Sequence, residues 1–571
     1  MSDFESTVRT LARKYALENA AKFGGKANPG AVIGKVMAEG GDAVRARGKE
    51  VPALAQAVIA EVNAMPPEEQ KAAFAQFEGQ LIQRAKVERD GPLKPLPNAT
   101  KGKVVLRLAP NPSGPPHFGH GRGMVITEEY RRMYDGQFIL RFDDTDTTVK
   151  PPWMPAYEMF PETVEWLCGR KPDRILFASD HVETYYQWAH ELIRRGGGYV
   201  CECVGDAFRE LKEKALPCPH RDQTPEVNAE KFQRMVDGGY RRGEAVLRVK
   251  TDIAHKDPAM RDWVAFRIAE EPHPRLEKLG RKQHHAWPLL DFQSAIDDHL
   301  AGVTHIIRGK DLRDSTGKQE FLYRHLGWTY PETMYWGRVS VHEFGKFSKS
   351  ILNKAIEAGE FTGWDDPRLP TFPALKRRGF TAEGIRNFWL SFGITEKDIA
   401  ASIVTLEAEN KKVLEPSAHR YFFVADAKVL HIQGAPKLHA RPALLPDKPA
   451  AGVREIDVPD GHVLVAAEDL RDGPLRLKDL ANVTVSGGVA RHEGDDIAWA
   501  RQHKAPIVQW VPAPGIPATL VTPENERVEG FAEPALAKEP VGAHVQLERL
   551  GFARVDEKRA DGSVVLYFTH K

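Results

Sequence analysis

The apolar positions of the first ninety residues fall at helical spacing. Phe4, Val8, Leu11 and Tyr15 recur every three or four residues until Gly24-Gly25 interrupts them. Ser2 and Glu5 have the spacing of a capping box, so a helix start is expected there. Residues 52–62 and 67–86 repeat the logic, with Pro66-Pro67 placed to open the second helix. A helical N-terminal extension over 1–90 is predicted, an accessory or docking unit with nothing catalytic in it. The run Gly91-Pro92-Leu93-Lys94-Pro95-Leu96-Pro97 reads as a linker, and after it the pattern changes. Lys103–Leu108 is β-rich, a Pro/Gly turn follows, helical spacing runs from His120 to Tyr134, and a second strand centres on 138–142. That order predicts a parallel sheet with its ligand at the carboxyl ends of the strands.

Cysteines, charge and turns interrupt this order between about 200 and 295, and strand-helix order resumes near Val303–Arg308. Residues 345–415 read as loop and helix. From 416 onward, Val-rich segments such as Gly461–Val465 and Val483–Gly487 alternate with Gly, Pro and Asp turns, which predicts an all-β tail of one or two barrels. The expected fold class is a multidomain α/β protein. Its expected segments are 1–90, 101–200, 201–295, 296–345, 346–415 and 416–571.

Composition narrows the class further. At 571 residues the chain exceeds one hydrophobic core. Its 42% hydrophobic and 28% charged content is that of an ordinary globular protein. No apolar run approaches the ~20 residues of a membrane span, and MSDFESTVRT lacks the apolar stretch of a signal peptide. Four cysteines argue against a secreted disulfide scaffold, so a cytoplasmic location is expected. The net charge of +1 directs any nucleic-acid partner to local basic faces.

Several groups carry candidate chemistry. Arg107-Leu108-Ala109-Pro110-Asn111-Pro112-Ser113-Gly114 leads into His117-Phe118-Gly119-His120. The prolines stiffen this loop, and Gly114 and Gly119 permit close backbone approach. Two imidazoles at a strand-to-helix turn can sit against nucleotide phosphates, although a plain βα connection would look similar. Far downstream, Lys346-Phe347-Ser348-Lys349-Ser350 places two lysines where they can neutralise a triphosphate. The second strand ends in Leu140-Arg141-Phe142-Asp143-Asp144-Thr145-Asp146, whose carboxylates suit an ammonium group, a metal or solvent. Arg308 follows an apolar strand and so should be partly buried. It then needs an anion, either a protein carboxylate or an acidic substrate. Cys201-x-Cys203 and Cys218-x-His220 have the paired spacing of tetrahedral zinc, with free buried cysteines as the alternative. Cys168 stands apart and reads as core. Lys376-Arg377-Arg378 is a basic cluster, either a solvated face or a phosphate contact.

HFGH and KFSKS, in this order and separation, resemble the HIGH and KMSKS signatures of class I aminoacyl-tRNA synthetases. The first-strand motif, LRFDDTD, the WDDPR run at 364–368 and the β tail resemble the glutamyl/glutaminyl subclass, and the helical start resembles its archaeal glutamyl branch. This resemblance runs over most of the chain. It implies a Rossmann-type catalytic domain with an inserted acceptor-binding domain, a helical connector and a β-barrel anticodon-binding region. It implies ATP with Mg2+ held by His117, Gly119, His120, Ser348 and Lys349. His117 and His120 would stabilise the transition state, and Lys346 and Lys349 the leaving pyrophosphate. Arg107 would contact substrate glutamate, Asp143 its ammonium group and Arg308 its γ-carboxylate. Cys201, Cys203, Cys218 and His220 would hold a structural Zn2+. Lys376, Arg377 and Arg378 would meet tRNA(Glu), with charging of tRNA(Gln) left open. Two departures accompany the match. Phe118 and Phe347 are apolar replacements within the motifs, and Leu290 stands where related enzymes carry a tyrosine that touches the amino acid. The nearest alternative is a glutaminyl enzyme, against which Arg308 argues. A non-catalytic tRNA-binding protein of the same fold is the alternative from another class.

Overall fold

A computed structural model describes residues 3–22, 25–77, 93–341, 343, 352 and 355–571, and the chain divides into two compact units, 1–90 and 91–571. In the first unit the helices are Asp3–Lys22, Pro29–Glu39, Gly41–Ala46, Val51–Ala64 and Pro67–Ala75. The longest buries Val8, Ala12, Tyr15 and Ala16 against Val51, Ala55, Val58 and Val62, with Phe4 and Leu11 at the margin. One buried amide closes the bundle: Gln70 Nε2 donates to the carbonyls of Val62 (2.8 Å), Gly25 (3.0 Å) and Met65 (3.2 Å). These are loop and helix-end carbonyls that would otherwise be buried without a donor. The helical pattern expected to reach residue 86 is seen as far as Ala75, and 78–92 lie outside the described residues.

The second unit is built on a five-stranded parallel sheet in the order Arg174–Phe177, Gln137–Phe142, Val105–Leu108, His305–Gly309, Glu332–Trp336. Strand Val105–Leu108 is central, and the chain winds outward from it in both directions. That is a topological switch point, and the crevice it opens lies at the carboxyl ends of Val105–Leu108 and His305–Gly309. The helix after the first strand runs Phe118–Tyr134 and ends where Asp135 takes a left-handed conformation (φ 48°). It starts two residues before the expected His120 because His117 is extended (φ −118°) and donates its N–H to His120 Nδ1 at 3.1 Å. The ring thus replaces one missing helical partner.

The interruption is a four-stranded antiparallel sheet, Gly198–Cys201, Val246–Val249, Val264–Ile268 and Ala286–Pro288, in chain order. Its core is continuous with that of the neighbouring helices through Tyr185, Tyr186, Phe232, Phe266 and Phe292. Helices Phe372–Arg378, Ala382–Phe392 and Ile403–Leu414 lead on to two seven-stranded sheets. Strands Phe423–Ala425 and Ala427–Gln433 enter different sheets, and Asp426 (φ 43°) makes the corner between them. No described helix is long and apolar enough to cross a membrane.

Candidate active site

The two histidines meet at the switch-point crevice. The rings of His117 and His120 lie 3.9 Å apart. At Gly119 an added Cβ would come within 3.2 Å of the His117 ring, so the small residue leaves room for that imidazole. The proline loop before them is stitched to the end of the second strand. Asp143 N–H donates to the Pro110 carbonyl (3.0 Å), and Asn111 Nδ2 donates to the Asp143 carbonyl (3.1 Å). The HFGH turn is also clamped from below. Phe118 N–H donates to the Pro370 carbonyl (2.8 Å) and Phe372 N–H to the Pro116 carbonyl (3.1 Å). The segment following WDDPR is therefore bonded directly to the histidine turn. Asp366, fully buried, organises that segment by accepting from Arg368 (2.8 and 2.7 Å) and from Thr362 N–H (2.9 Å). Burial works against its ionisation, but Arg368 and the backbone donors prevail and hold its pKa down to about 2. Lys346, Ser348 and Lys349 lie outside the described residues.

A buried ion-pair chain crosses the floor of the crevice. Arg107 Nε donates to Asp298 Oδ1 at 3.1 Å, Arg141 Nη1 to the same oxygen at 2.6 Å, and Arg141 Nε to Asp143 Oδ1 at 2.8 Å. All four side chains are under 9% exposed. Desolvation raises the pKa of Asp143 despite Arg141, whereas two guanidinium groups overcome burial at Asp298 and lower it. Asp297 continues the chain, receiving Tyr185 Oη–H at 2.7 Å and facing His181 Nδ1 at 2.9 Å. Arg141 lies within the LRFDDTD run but has no role assigned from the sequence, and neither have Asp297 and Asp298. Ser294 and Ala295, four and three residues before Asp298 on helix Leu290–Leu300, are buried on the same face and were the available signal that Asp298 points inward.

Of the three carboxylates in the FDDTD run, only Asp143 faces this chain. Asp144 accepts from Ser179 N–H (2.7 Å), Ser179 Oγ–H (2.8 Å) and Tyr157 Oη–H (2.7 Å). Asp146 caps a turn at Thr148 and Val149 and pairs with Arg267 at 2.8 Å. Both are thus engaged by protein groups. Leu290, the first residue of its helix, is 43% exposed.

Arg308 is the exception to this pairing. It is 6% exposed, yet among the described residues no carboxylate lies within ion-pair distance. Its Nη2 donates to Thr316 Oγ1 (2.5 Å) and Tyr330 Oη (2.7 Å), both terminal nitrogens reach Gln319 Oε1 (3.2 Å), and Nε is buried with no partner. Neutral oxygens orient the guanidinium without neutralising it. Of the two anions its burial allowed, a protein carboxylate is not found among the described residues.

The chain matches the family model of the catalytic domain of class I tRNA synthetases (E and Q) over residues 103–416. Two models of the anti-codon binding domain of the same enzymes match 418–501 and 507–556. It is 46% identical over 577 residues to a glutamate–tRNA ligase of Methanocella arvoryzae, covering 99% of each chain. It is 43% identical over 579 residues to one of Pyrococcus abyssi, covering 99% of this chain and 100% of that one. A solved glutamate–tRNA synthetase from Elizabethkingia anophelis aligns at a TM-score of 0.40 with 19% identity, over 55% of this chain and 71% of the other. The chain belongs to the glutamate/glutamine class I tRNA synthetase family.

Within this synthetase chain, the two anticodon-binding matches cover most of the two seven-stranded sheets. The basic cluster at 376–378 is divided between solvent and the domain it packs against. Arg378 is 5% exposed, its Nη2 donates to the Thr569 carbonyl (3.3 Å), and burial brings its pKa down to about 10. Arg377 bridges Asp365 (2.8 Å) and Asp556 (3.1 Å) and lies over the Tyr567 ring. Both arginines join the connector helix to the last β-sheet, so of the three only Lys376 is exposed. The spacing KRR at a helix end could not distinguish an outward cluster from one pressed against another domain.

Cys201, Cys203, Cys218 and His220 converge, their ligand atoms all within 4.8 Å of one another. Sγ atoms of Cys201 and Cys203 lie 3.5 Å from that of Cys218, and His220 Nδ1 is 3.4 Å from both Cys203 and Cys218. Such separations are about the edges of a tetrahedron around an ion bound at ~2.0–2.3 Å, the zinc distance to nitrogen and sulfur. Cys168 is buried apart from them, beside the Met124 carbonyl, and burial pushes its thiol pKa up to about 12.

Proposed function

We propose that this synthetase is a glutamate–tRNA ligase that forms glutamyl-adenylate from glutamate and Mg-ATP and transfers the glutamyl group to the 3′ end of tRNA(Glu). The observation that carries the choice of amino acid is the buried Arg308 guanidinium with no carboxylate within ion-pair distance among the described residues. A γ-carboxylate matches its planar fork and supplies the missing charge, whereas the neutral amide of glutamine would leave it unpaired. The amino-acid end is read by the same chain of groups. Asp298 occupies Nε and Nη2 of Arg107 and leaves Nη1 for the substrate, and Asp143 offers the substrate ammonium an oxygen beyond the one held by Arg141. An arriving ammonium also stabilises the ionised form of a carboxyl that burial disfavours.

His117 and His120, with Gly119 between them, would lie against the ATP phosphates. Lys346 and Lys349 would stabilise the charge that moves onto pyrophosphate, with Ser348 beside them. The protein supplies positioning and electrostatic stabilisation, and no covalent enzyme intermediate is required. The bonds tying Phe118 and Phe372 across the histidine turn favour this reading, since they join the HFGH turn to the segment that follows the lysine loop. Zinc in the Cys201–Cys203–Cys218–His220 cluster would be structural, because all four positions are filled by protein. Lys376 remains a candidate tRNA contact, and the two β-sheets would meet the anticodon loop. A cytoplasmic site of action accords with the absence of an apolar spanning helix among the described residues.

The decisive experiment is ATP–pyrophosphate exchange in the presence of tRNA, followed by charging of purified tRNA(Glu) and tRNA(Gln). Exchange with glutamate and charging of tRNA(Glu) are expected. Exchange with glutamine alone would refute the assignment, and no activity with either would leave a tRNA-binding protein.

A further inference from the structure

A second concentration of positive charge lies away from the crevice. Arg221, Lys250, Thr251, Phe321, Arg324 and His325 line a cavity of about 320 Å³. Helix Arg313–Leu326 leaves the carboxyl end of strand His305–Gly309 through a short 3-10 turn and runs back along the sheet. Its 14 residues span about 20 Å at 1.5 Å per residue, so Arg324 and His325 sit at the amino edge, opposite the catalytic face.

The cavity walls come from two bodies. Arg221 and Lys250 belong to the inserted sheet and its loops, Arg324 and His325 to the parallel-sheet domain. His325 Nε2 lies 2.7 Å from the Lys250 carbonyl, and Lys250 N–H donates to the Gly197 carbonyl at 2.8 Å. Arg221 Nη2 donates to the Thr251 carbonyl at 2.8 Å. The one buried carboxylate nearby, Asp262, is already engaged by Arg221 (2.9 Å), Tyr199 Oη–H (2.9 Å) and Thr251 N–H (2.9 Å). Asp222 is exposed and within ion-pair distance of none of these cations. Among the described residues, Lys250 Nζ is half-buried with no ion pair. Arg324 has none either and lies over the Phe321 ring. Burial and the neighbouring Arg221 lower the pKa of Lys250, and Asp222 and Asp262 offset this only in part. Concave walls focus such a field and raise the local anion concentration.

We propose that this cavity is a phosphate-binding site, with Lys250 and Arg324 as its free cations and Arg221 as the third. The shared chemistry is a phosphate group, carried either by an RNA backbone or by a free phosphate compound. Because its cations come from both bodies, a bound phosphate would also hold the inserted sheet against the catalytic domain. The site stands independently of which amino acid the enzyme activates.

The test uses the full-length protein and the double variant Lys250→Met/Arg324→Met, with retention of ATP–pyrophosphate exchange as the check on folding. Inorganic phosphate is titrated calorimetrically, and tRNA binding is measured against salt concentration. At least a tenfold weaker phosphate affinity in the variant is expected. If the ligand is RNA, the slope of log K against log salt also becomes shallower by about one for each phosphate that the variant no longer neutralises. Weakened phosphate binding with an unchanged tRNA slope assigns the site to a free phosphate compound. Unchanged phosphate affinity and unchanged slope overturn the proposal. Should the variant not fold, tungstate soaked into wild-type crystals serves instead, and no anomalous peak between Lys250 and Arg324 overturns it equally.

Discussion

Replacing Arg308 by methionine separates recognition from stability. The side chain is buried and carries a charge that no described carboxylate balances, while its hydrogen-bond partners are neutral. Those partners stay satisfied without it. Tyr330 Oη–H already donates to Gln319 Oε1 at 2.6 Å, Gln319 Nε2 donates to Ser294 Oγ at 2.7 Å, and Thr316 and Tyr335 share a hydroxyl bond. Removing an uncompensated buried charge and leaving a flexible apolar chain of similar length should not destabilise the free enzyme, and the melting temperature is expected to hold or rise. The substrate suffers instead, because its γ-carboxylate is left desolvated and unpaired. Breaking a buried charge pair from one side costs about 3–5 kcal/mol. At about 1.36 kcal/mol per factor of ten, that is roughly two to four orders of magnitude in kcat/KM for glutamate. The assay is tRNA-dependent ATP–pyrophosphate exchange over a glutamate series, with thermal unfolding of the same preparations. A glutamate kcat/KM within tenfold of wild type refutes the assigned role. A variant that loses stability and activity in parallel would show that Arg308 is a structural residue after all.

Four further outcomes are expected. Arg141→Met leaves Asp143 and Asp298 short of a buried partner and should lower stability by about 3–5 kcal/mol, read from denaturant unfolding. At Gly121 an added Cβ would lie 2.7 Å from the Phe372 ring and 2.8 Å from Trp389 Nε1, so Gly121→Ala should cost about 1–3 kcal/mol and loosen the connector from the histidine helix, seen as faster hydrogen exchange at 372–378. Asp366 has its folded pKa depressed to about 2, so its contribution is present above the unfolded value near 4 and is lost as pH falls from about 4 toward 2; Asp366→Asn should flatten the acid limb of the stability profile in that window. Metal analysis should find one zinc per chain. Cys218→Ser should abolish it, and cobalt substitution of the wild type should give thiolate charge-transfer absorption that the variant lacks.

Local chemistry was readable along the chain wherever a residue's role depends on its neighbours in sequence. HFGH follows a β-rich run and a proline loop, and two histidines three apart at a helix start share one face whatever packs around them. The paired cysteines lie close enough in sequence for two loops to bring them together. The parallel sheet and the β tail followed from changes in hydrophobic period. The helix expected from His120 starts two residues earlier, at Phe118, because the His120 side chain takes the place of a backbone partner.

Ion pairing was a different matter, because it links residues far apart in the chain. Arg107 and Asp298 are 191 positions apart, and Arg377 and Asp556 are 179. Arg107 and Arg308 look alike in one dimension, each a cation in an apolar strand, and Arg377 and Arg378 read as parts of one basic run. Only the fold shows that Arg107 shares Asp298 with Arg141, that Arg377 and Arg378 fasten the connector to the last sheet, and that Arg308 is buried with no carboxylate at all among the described residues. The sequence by itself determined that this is a class of protein with a nucleotide-type turn, a parallel sheet and a β tail, since those depend on short-range periodicity and turn chemistry. Which charges are paired, and which are buried without a carboxylate among the described residues, was decided by the tertiary structure, because electrostatic energy depends on distance and burial rather than on order along the chain.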